Sequence, residues 1–157
     1  MRMKEREITD KTIIEKIIRD SDICRLGLAY KDEAYIVPLN FGYADNVIYM
    51  HTGKTGKKIE MIKGNNSVCF EMEINTKVVK GNIPCKWTEH FQTVIGRGKI
   101  YFIEEKAEKV KALDIIMNHY GNSENEFPDA ALKVTAVLKI EIDEMTGKQS
   151  GYPELSK

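Results

Sequence analysis

Apolar residues recur at helical spacing over residues 10–20, where Ile13, Ile14, Ile17 and Ile18 share a face and Glu15, Lys16 and Arg19 point away. Thr9 or Asp10 is placed to cap this short amphipathic helix, whose apolar stripe needs a surface to lie on. From Ile23 the period changes to two. Cys24, Leu26, Leu28 and Tyr30 fall on one face, with Arg25, Gly27 and Ala29 on the other. Lys31-Asp32-Glu33 is a polar turn into a strand over 34–43, and Ala44-Asp45-Asn46 leads into a second over 47–51, the pattern of an antiparallel meander. Alternation returns over 67–74, 91–104 and 135–143. Helical spacing returns over 55–63, ended by Gly64-Asn65-Asn66, and over 105–120, with 121–129 read as a polar loop. Six or so strands with short helices across their ends predict an α+β fold, a small closed or split antiparallel β-barrel.

At 157 residues and 42% hydrophobic, the chain has material for one domain and one core. Lys and Arg number 24 and so do Asp and Glu, so the overall charge gives no support to a nucleic-acid or anionic-membrane partner. No apolar run approaches the roughly 20 residues of a membrane span. The charged start, Met1-Arg2-Met3-Lys4-Glu5-Arg6-Glu7, leads into no apolar run, so no secretory signal is expected. Cys24, Cys69 and Cys85 are widely spaced and odd in number, which predicts reduced thiols and a cytoplasmic protein. Neither Cys-x-x-Cys nor His-Glu-x-x-His occurs, and no metal site is expected.

Three segments carry candidate chemistry. In Tyr35-Ile36-Val37-Pro38-Leu39-Asn40-Phe41-Gly42-Tyr43 the odd-numbered residues form an apolar face, and the other face is small and polar in its second half. Pro38 implies a bulge or an edge, with backbone groups beside it free to meet the polar rim of a planar ligand, or simply an ordinary edge strand. His51-Thr52-Gly53-Lys54-Thr55-Gly56-Lys57-Lys58 runs from a strand end through two glycines into a helix start. Helix N–H groups, hydroxyls and lysines there make either an anion cradle or a solvated basic turn. The spacing is neither that of a Walker A loop nor that of a dinucleotide fingerprint. Trp87 precedes a strand whose Gly96 and Gly98 permit bending or close approach; by itself this segment reads as a core aromatic beside a bulged strand. His90 reads as a strand residue, and His119 as a helix-end residue where a cation is favoured.

Taken in order, these residues resemble the flavin-binding, pyridoxamine 5′-phosphate oxidase-like split-barrel family, and within it the nitroimidazole-resistance type. The resemblance is carried by Arg25-Leu26-Gly27-Leu28, Val37 through Tyr43, Ile48-Tyr49-Met50-His51, Gly56-Lys57-Lys58, Val68-Cys69-Phe70-Glu71, Cys85-x-Trp87 and Thr93-Val94-Ile95-Gly96-x-Gly98, and it covers residues 6–148. It implies an FMN-binding homodimer with two flavins at the subunit interface. By that likeness Pro38, Leu39, Asn40 and Phe41 lie along the isoalloxazine, and His51, Thr52 and Gly53 lie near the flavin. Gly56, Lys57 and Lys58 meet the phosphate, and Trp87 and Thr93 approach the ring from the partner side. The arginine-rich set with which the vitamer oxidases hold substrate phosphate is absent from residues 140–157, which speaks against vitamer oxidation.

The resulting expectation is an FMN-dependent reductase of a small organic acceptor such as a nitroaromatic. His51 is then either the proton donor or a hydrogen-bonding partner of the flavin. The alternatives are a non-catalytic flavin-binding protein for storage or sensing, or a related barrel holding haem on a histidine. No nicotinamide fingerprint is present, so an NAD(P)H-dependent cycle requires a partner reductase or a site of another kind.

Overall fold

The computed structural model describes residues 4–123 and 125–152. Met1 to Met3 of the charged N-terminus, Glu124 of the expected loop and the tail beyond Tyr152 lie outside the described residues. In chain order the elements are β1 (Glu7–Ile8), α1 (Lys11–Asp20), β2 (Cys24–Tyr30), β3 (Glu33–Leu39), β4 (Phe41–Ala44), β5 (Val47–Gly53), α2 (Lys57–Gly64), β6 (Ser67–Val79), β7 (Thr88–Ile103), α3 (Lys106–His119), α4 (Asp129–Val134) and β8 (Thr135–Ser150).

Every strand pairing is antiparallel. The strands follow the order β3-β2-β6-β7-β8-β5-β4, with β1 pairing on β8. The first and last members of that order, β3 and β4, are consecutive in the chain with Asn40 alone between them. A sheet whose two ends are one continuous segment is wrapped on itself. The periodicity allows a closed or a split barrel, and this is the split one that the family resemblance implies. Its interior holds the alternating faces of the strands, with Leu26, Phe41, Met50, Phe70, Leu138 and Ile140 among the most buried side chains.

Helix α1 covers one side of that interior. Asp10 caps it by accepting the Thr12 N–H at 2.8 Å, and Ile14, Ile17 and Ile18 are buried against the barrel core. Helices α3 and α4 pack on the outside over a second cluster that includes Ile103, Leu113, Ile116 and Val137. No helix among the described residues is long and apolar enough to cross a membrane. All three cysteines are free.

Several boundaries differ from the sequence expectation, each for a reason in the pairing. The single strand expected over 34–43 is two, because the segment leaves β2 for β5 at Asn40. Pro38 marks an edge and not a bulge: its register with Arg25 of β2 is unbroken. The strand expected to end at Ile74 continues to Val79 after an irregularity at Asn75, where φ is 58°. Strand β8 runs on to Ser150, past the point where apolar alternation fades, and α4 begins at the end of the expected polar loop.

Gly42 belongs to a face read as small and polar, yet it is buried under α3. A Cβ there would lie 2.6 Å from the Ile115 carbonyl oxygen and 2.7 Å from the Ile116 nitrogen. Backbone cannot yield as a side chain does, so Gly42→Ala is expected to lower the unfolding free energy by about 1–3 kcal/mol in urea titration. Gly53→Ala, where a Cβ meets nothing within 4 Å, is expected to stay within about 0.5 kcal/mol of the wild type.

Candidate functional site

Strand β4 pairs with β5 from Ala44↔Val47 to Phe41↔Met50. Continued by register, the ladder would set Asn40 opposite His51, Leu39 opposite Thr52 and Pro38 opposite Gly53. None of these pairs forms. Leu39 and Pro38 oppose Cys24 and Arg25 of β2, while His51, Thr52 and Gly53 stay with Val137, Ala136 and Thr135 of β8. The barrel is therefore split, with residues 38–40 as one lip and 51–53 as the other. Both lips turn toward the split an edge of backbone groups that no ladder uses, which is bonding capacity for a third body. Pro38 and Asn40 are exposed, whereas Leu39 is half-buried and Phe41 fully buried. Leu39 and Phe41 turn their side chains to the core.

The point of divergence is pinned from below. The Phe41 N–H, released by the change of partner, donates to Tyr120 Oη at 3.1 Å. Tyr120 Oη–H in turn donates to the Asp22 carbonyl at 2.7 Å. The neighbouring His119 places Nε2 2.8 Å from the Ser21 carbonyl oxygen, and its ring lies 4.4 Å from that of Phe41, centroid to centroid. His119, in the last turn of α3 as expected, thus also holds the helix end to the chain between α1 and β2. An unpaired buried N–H costs about 1–3 kcal/mol, and Tyr120 removes that cost where the strand changes sheets.

Beyond the lip at 51–53 the chain enters the first turn of α2. Gly56 enters it at φ 102° with no side-chain cap. Its carbonyl accepts from the N–H groups of Ile59 and Glu60, which leaves those of Lys57 and Lys58 as the open donors of the helix start. The two lysines reach different strands. Lys57 forms an ion pair with Glu33 at the start of β3 and lies 5.2 Å over the Tyr35 ring. Lys58 is half-buried, and burial holds its pKa below the ordinary 10.5; it has no ion pair among the described residues. Its charge reaches His51 on β5. Protein packed about the solvent-touching imidazole, and then that charge, hold His51 below its ordinary 6.5. At neutral pH the cradle is one neutral imidazole, one partly desolvated free ammonium and one ammonium already paired.

Thus Pro38, Leu39, Asn40 and Phe41 lie across the split from His51, Thr52 and Gly53, while Gly56, Lys57 and Lys58 follow in the chain, with Lys57 held to β3 at Glu33 and Tyr35 and Lys58 near His51; all of these border the split or the helix start that follows it. Trp87 and Thr93 do not. Thr93 lies on β7, separated from β3 by β6 and β2 and from β5 by β8; its Oγ1 sits 2.8 Å from Glu71 Oε1 and 2.9 Å from the Met72 carbonyl oxygen. Trp87, 50% exposed, is no core aromatic; the Lys80 ammonium stands 5.4 Å over its ring. Sequence reasoning missed Glu33, which read as a turn residue, and Tyr120, which read as part of a helix face. Both act through partners more than 20 positions away in the chain, and no local pattern marks them.

The family model for pyridoxamine 5′-phosphate oxidase matches residues 10–149 of the chain. Among solved structures, the chain is similar to a candidate 5-nitroimidazole antibiotic resistance protein from Bacteroides thetaiotaomicron, with 40% identity and a TM-score of 0.83 over 91% of this chain and 86% of that one. It is similar in fold to an FAD and heme binding protein from Mycobacterium smegmatis, at 14% identity and TM-score 0.83, covering 96% of this chain and 77% of that one. An FAD-binding protein from Mesorhizobium loti matches at 20% identity and TM-score 0.68, covering 93% and 98%. No curated protein matches the chain.

If the Lys58 charge depresses His51, then Lys58→Met is expected to raise the His51 pKa in ligand-free protein, read from the imidazole proton shifts during an NMR titration. The sign for stability follows. A histidine held below its ordinary value leaves the unfolded chain to protonate first, so stability declines as pH falls from about 6.5 toward the folded value. Lys58→Met should flatten that decline. An unchanged His51 pKa contradicts the coupling.

Proposed function

The chain belongs to the pyridoxamine 5′-phosphate oxidase family, and from that premise we propose that its split holds FMN and that the protein is an FMN-dependent reductase of a small organic acceptor such as a nitroaromatic. The observation that carries this reading is the first turn of α2, which follows the lip at 51–53, is tied to β3 through Lys57 and Glu33, and offers two open N–H donors and an unpaired, partly desolvated ammonium. That donor set suits a phosphate dianion. The lips suit the rest of the molecule, since unpaired backbone edges can satisfy the polar rim of a planar ring while Pro38 and Asn40 line its approach.

FMN, when bound, supplies the two-electron redox chemistry that no side chain offers. The protein's own part is to bind, orient and manage protons. Lys58 takes the phosphate, and Lys57 joins it only by giving up Glu33, so the two lysines are unequal. A phosphate beside Lys58 offsets the charge that depresses His51, and the imidazole then holds a proton more readily at neutral pH. Reduction of a nitro or carbonyl group needs protons with its electrons, and His51 on the lip is placed to deliver one.

The same reading assigns a C₂ homodimer. Trp87 and Thr93 lie too far round the barrel to serve their own split, and they reach the flavin only of a second copy. Exposed apolar residues, including Ile36 at 69%, Ile95 at 53% and Trp87, favour such a partner surface. The candidate resistance protein at 40% identity favours a nitroaromatic acceptor over vitamer oxidation. A haem reading needs an axial histidine, and among His51, His90 and His119 the last is engaged with Ser21 and Phe41 while His90 sits against Tyr152.

Two variants separate binding from chemistry. Lys58→Ala should weaken FMN by about ten- to a hundredfold while barely changing riboflavin, which lacks the phosphate, and Lys57→Ala should cost less. His51→Ala should keep FMN and slow reoxidation of the reduced protein by a nitroaromatic by about 10²–10⁴-fold in stopped-flow absorbance. Equal losses for FMN and riboflavin contradict the phosphate assignment. Wild-type reoxidation by His51→Ala removes the proton-donor role from His51, failure of the wild-type reduced protein to reduce a nitroaromatic favours a binding protein over a reductase, and a Soret band in the purified protein favours haem.

A further inference from the structure

Past the barrel, β6 and β7 continue as a two-stranded arm in which Lys77, Val78 and Val79 pair with His90, Glu89 and Thr88. Strand β8, which flanks β7 along the barrel, pairs no farther than Ser150 with Phe91. Among the described residues the arm therefore has no third strand, and a two-stranded ribbon alone is at best marginally stable in water. The arm nonetheless carries exposed apolar side chains, Val78, Ile83 and Trp87. Trp87 lies in the loop that closes it, where its N–H donates to the Pro84 carbonyl at 3.1 Å and the Lys80 ammonium covers its ring.

The arm leaves the barrel at a joint. Three steps along β6, from Ile74 to Lys77, match two along β7, from Gln92 to His90, so β6 carries one extra residue there. Asn75 takes up the excess in the left-handed region at φ 58°, which asparagine tolerates better than most residues. A bulge bends the strand that carries it, and this bend sets where the arm points.

The joint is held from the end of β8 and the two residues after it. Tyr152 Oη–H donates to the Asn75 carbonyl at 2.6 Å. Asn75 Nδ2 donates to Gln92 Oε1 at 2.8 Å, and Gln92 Nε2 donates to Gln149 Oε1 at 3.2 Å. Gln92 is buried, so its amide depends on these partners instead of water. The His90 imidazole lies directly on Gly151, where a Cβ would come within 1.8 Å of Cδ2, and the Tyr152 ring meets the same imidazole at 5.9 Å between centroids. All of these contacts converge on one bend.

We propose that Gln149 and Tyr152 are positioning residues: by clamping the bulge at Asn75 they set the direction of the arm and so the placement of Trp87. Without the clamp the barrel ladder stays intact and the arm swings about Asn75. The consequence for chemistry rests on the reading that Trp87 approaches the flavin of a second copy; the clamp itself does not.

The test is amide hydrogen exchange, followed by mass spectrometry on the protein as purified, together with the fluorescence anisotropy of Trp87. It is the sole tryptophan of the chain, so its emission reports on the arm alone. Tyr152→Phe, which keeps the ring and loses the hydroxyl, should speed exchange at 77–79 and 88–90 about three- to tenfold and lower the Trp87 anisotropy. Exchange at 68–72 and 94–100, within the barrel, should stay at the wild-type rate. Gln149→Leu should loosen the arm in the same way, and Gln149→Glu, which keeps an acceptor oxygen for Gln92, should restore most of the protection. The proposal is overturned if Tyr152→Phe leaves both arm exchange and anisotropy unchanged, if exchange rises equally across the barrel, or if Gln149→Leu and Gln149→Glu behave alike. Should Gln149→Leu fail to fold, Tyr152→Phe decides the matter. Trp87 emission is also compared with and without bound FMN: an emission that FMN leaves unquenched removes the second-copy reading, and the exchange result is read independently of it.

Discussion

One backbone segment cannot satisfy two neighbours whose directions diverge, and the molecule is organised around the place where this happens. Residues 33–44 run through both ends of the strand order, paired with β2 before Asn40 and with β5 after it. Wrapping the sheet demands this change of partner. The change in turn prevents residues 38–40 from meeting residues 51–53, so closure of the barrel and opening of the split are the same event. The arrangement persists because each consequence is met locally. Tyr120 accepts the released Phe41 N–H, Asp22 and Ser21 tie the end of α3 to the barrel, and Gly42 lets that helix lie directly on the backbone of β4.

The electrostatics of the opening follow from where α2 begins. A helix start with no side-chain cap leaves donors exposed. Lys57 and Lys58 extend from it to different strands and meet different fates. Glu33 and the Tyr35 ring hold Lys57, while Lys58 is left partly desolvated and close enough to depress His51. Binding of an anion is thereby linked to the protonation of His51: whatever neutralises Lys58 favours the imidazolium. Phosphate capture and proton supply are two ends of one interaction.

Much of the architecture was legible in the chain because alternation reports which residues face a core. The faces of β2 and β8, the stripe of α1 and its Asp10 cap follow from periodicity and cap chemistry alone. Periodicity does not report partners, however. The residues from Tyr35 to Tyr43 alternate without interruption, and the break at Asn40 arises only because β2 lies on one side and β5 on the other. For the same reason the lysine pair reads as equivalent in sequence and is unequal in space, since Glu33 lies 24 positions away. Trp87 reads as a core residue by composition and stands half-exposed, because the core it would fill is already occupied by the strand faces.

The central claim is that the split between residues 38–40 and 51–53, together with the start of α2 that follows it, is where FMN binds. Amide hydrogen exchange, followed by mass spectrometry on the protein with and without FMN, tests it most directly, because the unpaired edges of both lips exchange freely until something occupies them. The account predicts that added FMN slows exchange at Leu39 and Asn40, at His51 to Gly53 and at Lys57 and Lys58 together. Tight FMN binding with those amides unchanged, and protection appearing elsewhere on the barrel, would contradict it.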